Sequence, residues 1–154
     1  MKRVFGFALI EVLIAVTIMS GSMLVVVSAA NKSLIYANES LKNYQATLAI
    51  EESVEAVKAM RASNWTNITN LTNGTAYGIV WGGTNWQTTA SPVETSLGFT
   101  RTITPSAVYR DANDDIAESG DLDAGTKKIT VSVSWVDHGT AQSESLEFYI
   151  ANIL

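Results

Sequence analysis

Residues Phe5 to Ile18 read FGFALIEVLIAVTI, an apolar run that holds one carboxylate, Glu11, near its start. A charge in a membrane or a protein core is costly without a partner, so a chain that keeps one there has a use for it. Working outward, Phe7 to Ala30 is a stretch of 24 residues whose only charge is Glu11, with Lys2 and Arg3 before it and Lys32 after it. About 20 apolar residues in a helix span the hydrocarbon layer, and basic residues ahead of the span favour a cytoplasmic N-terminus. The expectation is a single-pass membrane helix, N-terminus inside. A secretory signal peptide shares the basic start and the apolar run. Here the run is longer, and no clear small-x-small cleavage signal precedes a polar start, although VSAANKS at Val27 to Ser33 comes close.

From Asn31 to Ala62 there is neither Pro nor Gly. Leu34, Ala37, Leu41, Tyr44 and Leu48, then Ile50, Val54, Val57 and Met60, recur at helical spacing, with Lys42, Gln45, Glu52, Glu55 and Lys58 largely elsewhere. Joined to the apolar segment, this predicts one helix of 56 residues from Phe7 to Ala62, about 84 Å long at ~1.5 Å per residue. The first half of so long a helix must lie outside any domain formed by the remainder.

After Ser63 the texture turns to Thr, Asn, Gly and alternating β-formers. In Lys128 to Val136 (KITVSVSWV), Ile129, Val131, Val133 and Trp135 share one face. Leu146, Phe148 and Ile150 repeat the period, and DHGTAQS between them supplies a turn. Phe99 to Thr104 and Ala107 to Tyr109 predict a third strand, interrupted by Pro105. The fold class expected is α+β: a long N-terminal helix whose second half packs against a small antiparallel sheet, with Trp65, Trp81 and Trp135 as bulky filling. The expected segments are 1–6, 7–30, 31–62 and a β-rich head at 63–154.

Hydrophobic residues make up 47% of the chain and charged ones 16%, the apolar excess lying before Asn31. Net charge is −5, or −7 if Lys2 and Arg3 are lost, which argues against nucleic-acid binding by bulk charge. With no cysteine there is neither a disulfide nor a thiolate metal site.

The run Gly6-Phe7-Ala8-Leu9-Ile10-Glu11-Val12-Leu13-Ile14-Ala15, behind the short basic stretch Met1 to Gly6, resembles the cleavage and methylation motif of bacterial type IV prepilins and secretion pseudopilins. The resemblance implies a leader at residues 1–6, a cut between Gly6 and Phe7 by a membrane prepilin peptidase, and N-methylation of Phe7. Ala8 stands where Thr is commoner. The resemblance further implies that Glu11 of one subunit meets the Phe7 amine of a neighbour as helices bundle into a filament. It implies as partners other pilin subunits, an inner-membrane pilus assembly platform, and membrane lipid before assembly. Leu48 to Trp65 is similar to the end of the long helix in minor-pilin-like proteins, and Thr100 to Asp111 to a strand of their heads.

The localisation implied is an inner-membrane precursor with its head outside the cytoplasm, then a periplasmic or extracellular filament serving adhesion, motility or pilus biogenesis. The alternative is a pseudopilin of a type II secretion or DNA-uptake system, where nucleic acid would become a partner. A membrane-anchored enzyme or ligand-binding domain is the rival from another class, and it gives Glu11 no role.

Other features read as structure. Gly21, between Ser20 and Ser22, is the one strong helix weakener in the membrane segment, and Ser28 stands where major pilins often carry Pro. Asp111 to Asp123 (DANDDIAESGDLD) is read as a solvated acidic loop. Asp111, Asn113 and Asp115 imitate the start of a calcium loop, but Ile116 replaces its turning Gly and no Glu takes the bidentate position. Asn64, Asn67, Asn70 and Asn73 begin tandem Asn-x-Thr triplets, with further triplets at Asn31 and Asn38. The acid that bacterial glycosylation favours two residues earlier is missing from all of them, so the tandem is read as a Thr/Asn-rich loop. No catalytic constellation is visible: His138 is the sole histidine, in an expected turn beside Asp137, and no Gly-x-Ser-x-Gly elbow or phosphate loop occurs. No cofactor is expected beyond the weak calcium candidate.

Overall fold

The structure, a computed structural model, describes residues 5–95 and 97–153, with side chains from Ala8 onward. Most of the expected leader, residues 1–4, lies outside the described residues. The first element is one unbroken helix, α1 (Phe5–Ser63). Its sequence has no Pro to remove an N–H, and the helix runs through Gly21 without interruption. The chain divides into two units at Lys42/Asn43, so α1 contributes to both.

From Ala8 to Ala30 α1 is predominantly apolar and exposed throughout, including Leu9, Leu13, Ile18, Leu24 and Val25. It is long and apolar enough to cross a membrane. Thr17 Oγ1 donates to the Leu13 carbonyl at 2.7 Å and Ser22 Oγ to that of Met19 at 2.9 Å. Those hydroxyls need no water, as a hydrocarbon surround requires.

The second unit is an α+β domain. Residues 43–63 of α1 pack on β-structure, burying Ala46, Ile50, Ser53, Ala56, Val57 and Met60. This departs from the expected stripe: Leu34, Leu41 and Tyr44 are well exposed and Leu48 is 45% exposed. The contact line is set by small residues, since Ala46, Ser53 and Ala56 are fully buried where a larger side chain would hold the helix off the sheet. Ser53 satisfies its hydroxyl on the Ala49 carbonyl at 2.6 Å.

Beyond α1 come α2 (Thr66–Thr69), β1 (Gly78–Trp81), β2 (Trp86–Thr89), β3 (Val93–Glu94), β4 (Thr100–Arg110), β5 (Ile116–Ala117), β6 (Asp121–Asp137) and β7 (Thr140–Ala151). The main sheet has the antiparallel order β3-β4-β6-β7, with β5 on the end of β4, and β1 and β2 form a separate hairpin. A bridge between Tyr77 and Ile103 ties the hairpin's entry to β4. Ile129, Val131, Val133 and Trp135 are buried together, as their alternation predicts. On β7 burial fades from Ile150 through Phe148 to Leu146, because β7 is the last strand of the sheet. The β6–β7 turn is only His138-Gly139, both at positive φ (47° and 79°), between the paired Asp137 and Thr140.

Pro105 does not interrupt the third strand. It sits inside β4 opposite Ile129. Ile103 exchanges backbone hydrogen bonds with Tyr77, and the Pro105 carbonyl accepts from Gly74 N–H at 2.8 Å. Residues two apart on a strand point their backbone groups the same way, so the donor that Pro105 lacks would face Gly74, not β6. The β4–β6 ladder therefore loses nothing. The irregularity comes later, where β6 carries four residues between Leu122 and Lys127 against the single Val108 of β4.

The Asn-x-Thr tandem leaves α1 after Ser63 as expected, but it is not loop throughout: Thr66–Thr69 form the single turn of α2, and Asn70 to Thr75 follow outside any helix or strand. A three-residue period nearly matches a helical turn and sorts the tandem into rows. Ile68 and Leu71 enter the core with Trp65 packed against it, while Asn64, Asn67 and Asn70 are exposed. The Met60 carbonyl at the end of α1 accepts from Asn64 N–H, Ser63 Oγ and Asn67 Nδ2, which closes the helix. Of the expected filling residues, Trp135 is buried and Trp65 partly so, but Trp81 is 55% exposed and its cross-strand partner Trp86 takes the packing role.

Candidate functional site

Gly6 and Phe7 lie in the first turns of α1, and Glu11 follows Phe7 by four residues, one turn further on. Glu11 is exposed between Ile10 and Val12, themselves exposed. Among the described residues no basic side chain or other hydrogen-bond donor meets its carboxylate. Among the described residues this acid is therefore unpaired, within a belt of thirteen exposed large apolar side chains from Leu9 to Val27. Burying each would be worth roughly 1.5–3 kcal/mol. Such a surface calls for an apolar surround, and within that surround Glu11 calls for a cation.

The acidic loop organises itself. Asp111 accepts backbone N–H bonds from Asn113 at 2.8 Å and Asp115 at 3.1 Å, which bring these three residues into one turn through the backbone and hold the Asp111 carboxyl below its ordinary pKa. Arg110 supplies the cation: its Nε is 2.7 Å from Asp123 and its Nη1 donates to the Asp114 carbonyl at 2.7 Å. That guanidinium, with further help from the Thr126 side chain, depresses the Asp123 carboxyl. Among the described residues no three His, Cys, Asp or Glu side chains gather to hold a metal ion. His138 is exposed in its turn with Nδ1 3.1 Å from Asp137.

The sequence reading missed Arg101. It is 6% exposed beneath the β1–β2 hairpin, although the chain around it reads as an ordinary Thr-rich strand. Its Nη1 lies 2.9 Å from Glu52 of α1, off the angle of a good hydrogen bond. Its Nη2 donates to the Ile79 carbonyl at 3.3 Å, and its guanidinium carbon sits 5.6 Å from the centre of the Trp86 ring. Helix, sheet and hairpin therefore meet at one cation. Only the alternation that places residue 101 in phase with Ile103 could have revealed it.

No protein-family model, curated protein or solved structure matches this chain.

Proposed function

We propose that the chain is the precursor of a type IV pilin-like filament subunit, inserted in the inner membrane with its N-terminus in the cytoplasm and residues 43–154 outside. A prepilin peptidase cuts between Gly6 and Phe7 and methylates the new amine, after which the helices of many copies bundle into a filament for adhesion, motility or pilus biogenesis. The observation that supports this most is the exposed Glu11, one turn from the Gly6-Phe7 junction, on a helix that is apolar all round.

Cleavage creates a partner that Glu11 does not have among the described residues. The positive amine of Phe7 forms only when the peptide bond after Gly6 is cut, and a neighbour's amine can then neutralise Glu11 inside the bundle. Removing one member of a buried ion pair costs ~3–5 kcal/mol, mostly because the survivor is stranded. The function so described is structural and requires no cofactor.

The test is mass spectrometry of the N-terminus of the membrane-extracted protein, with N-methylated Phe7 expected. An intact Met1, or a start near Asn31, would overturn the reading. Replacing Gly6 should leave an uncut, unassembled precursor, whereas Glu11→Ala should be cut normally and assemble poorly. Normal filament yield from Glu11→Ala would remove the ion pair from the proposal. A pseudopilin of a secretion or DNA-uptake machine would share these outcomes, and is told apart by the absence of extended surface filaments.

A further inference from the structure

We propose that the cleft between α2 and the β1–β2 hairpin binds a neutral saccharide. The cleft has a volume of about 470 Å³, within the range of small-molecule sites. Thr66, Asn67 and Asn70 form one wall, Asn85, Trp86 and Thr88 the other, and Met60 and Leu71 also line it. Among the described residues no ionisable side chain lines it, so a charged ligand would be desolvated there without a counter-ion.

The chemistry of the walls matches a polyol. A carboxamide offers a donor and an acceptor side by side, as do adjacent sugar hydroxyls. Asn67 spends its Nδ2 on Met60 and Ser63, at 3.1 and 2.9 Å, which leaves its Oδ1 as an acceptor. Asn85 receives Gln87 Nε2 on its Oδ1 at 3.1 Å, which leaves its amide hydrogens to donate. The side-chain amide of Asn70 meets no partner among the described residues. Two complementary half-used amides and one unused amide therefore border the same space.

Trp86 adds the apolar element, because an indole packs well against the C–H face of a pyranose while hydroxyls bond at the rim. Its ring is held before any ligand arrives, with the Arg101 guanidinium over it and Trp81 at 5.5 Å and 67°. Side chains already fixed lose little entropy on binding. The tandem triplets acquire a purpose here: their three-residue period sends Ile68 and Leu71 to the core and Asn67 and Asn70 to the cleft. The cleft is confined to residues 60–88, so saccharide binding is separable from processing at Gly6 and from assembly through Glu11.

The test uses the full chain in a zwitterionic detergent free of sugar, titrated with maltose, lactose, cellobiose and diacetylchitobiose. Tryptophan fluorescence and saturation-transfer NMR report binding. At least one disaccharide should bind saturably. Asn70→Ala should weaken that binding by about tenfold, the loss of one or two good hydrogen bonds, with an unchanged Tm because the amide supports nothing else. Asn73→Ala, outside the cleft, should bind as the parent does. The proposal is overturned if none of the four disaccharides saturates, or if Asn70→Ala and Trp86→Phe both bind like the parent. It is also overturned if 3′-sialyllactose binds more tightly than lactose, or if an uncharged Thr- and Asn-rich peptide binds where the sugars do not.

Discussion

The two ends of α1 are one continuous helix with opposite fates. From Ala8 to Ala30 it is exposed on every side, yet most of its residues are apolar. From Ala46 to Met60 it buries one narrow row, and that row includes a serine and two alanines. Hydrophobicity alone therefore does not say where a helix docks. An all-round apolar surface has no preferred side and suits a uniform apolar medium, whereas a row of small residues creates a single line of close approach.

A buried charge should break this contrast most sharply. Val57→Asp places a carboxylate at a fully buried position, and a loss of about 4 kcal/mol or more is expected. That is enough to abolish the cooperative thermal transition of the domain. Val16→Asp, the matching change in the exposed half, should leave that transition in place and instead impair membrane insertion by ~2.5–3.5 kcal/mol. Circular dichroism melts and carbonate extraction of membranes read the two effects.

A subtler pair sharpens the comparison by size. Ser53→Leu forces a large side chain into the helix–sheet contact and should destabilise by ~1–3 kcal/mol. Ser20→Leu should leave the melting temperature unaltered. Equal effects would mean that small residues do not set the contact.

The smallest effect is one of pH and belongs only to the second unit. The Asp123 pKa is lowered in the folded state by Arg110. Its contribution is therefore full above the unfolded carboxylate value of ~3.9 and is lost as the pH falls through the lower folded value. The protection factors of the amides in residues 110–115, relative to their intrinsic exchange rates, should fall in that acid window, and Asp123→Asn should show the lower protection already at neutral pH.

Much of the architecture was legible because it rests on period. Alternation gave the inward faces of β6 and β7, and the absence of Pro, with no Gly from Asn31 to Ala62, gave the reach of α1. What escaped depended on neighbours distant in sequence. Whether Pro105 breaks a strand turns on which side its missing N–H would face, and Gly74 decides that. Leu48 reads as a better core residue than Ser53 until the sheet is near enough to reject it. Trp81 and Trp86 look equivalent in the sequence, but only Trp86 packs against the core, with the Arg101 guanidinium over its ring. The proposed N-terminal site is made of contiguous residues, whereas the proposed cleft site draws on residues up to 28 positions apart, from Met60 to Thr88.

The free side of β7 carries a consequence for crowding. A twelve-residue terminal strand exposes backbone donors and acceptors that could template pairing with a second copy. Glu144 and Glu147 stand in the middle of it, and two such strands meeting head to tail would bring like charges together. Glu147 is partly offset by Lys128 at 3.3 Å, so where copies are held at high local concentration it is the two acids together that would disfavour edge-to-edge pairing, and neutralising both should promote it.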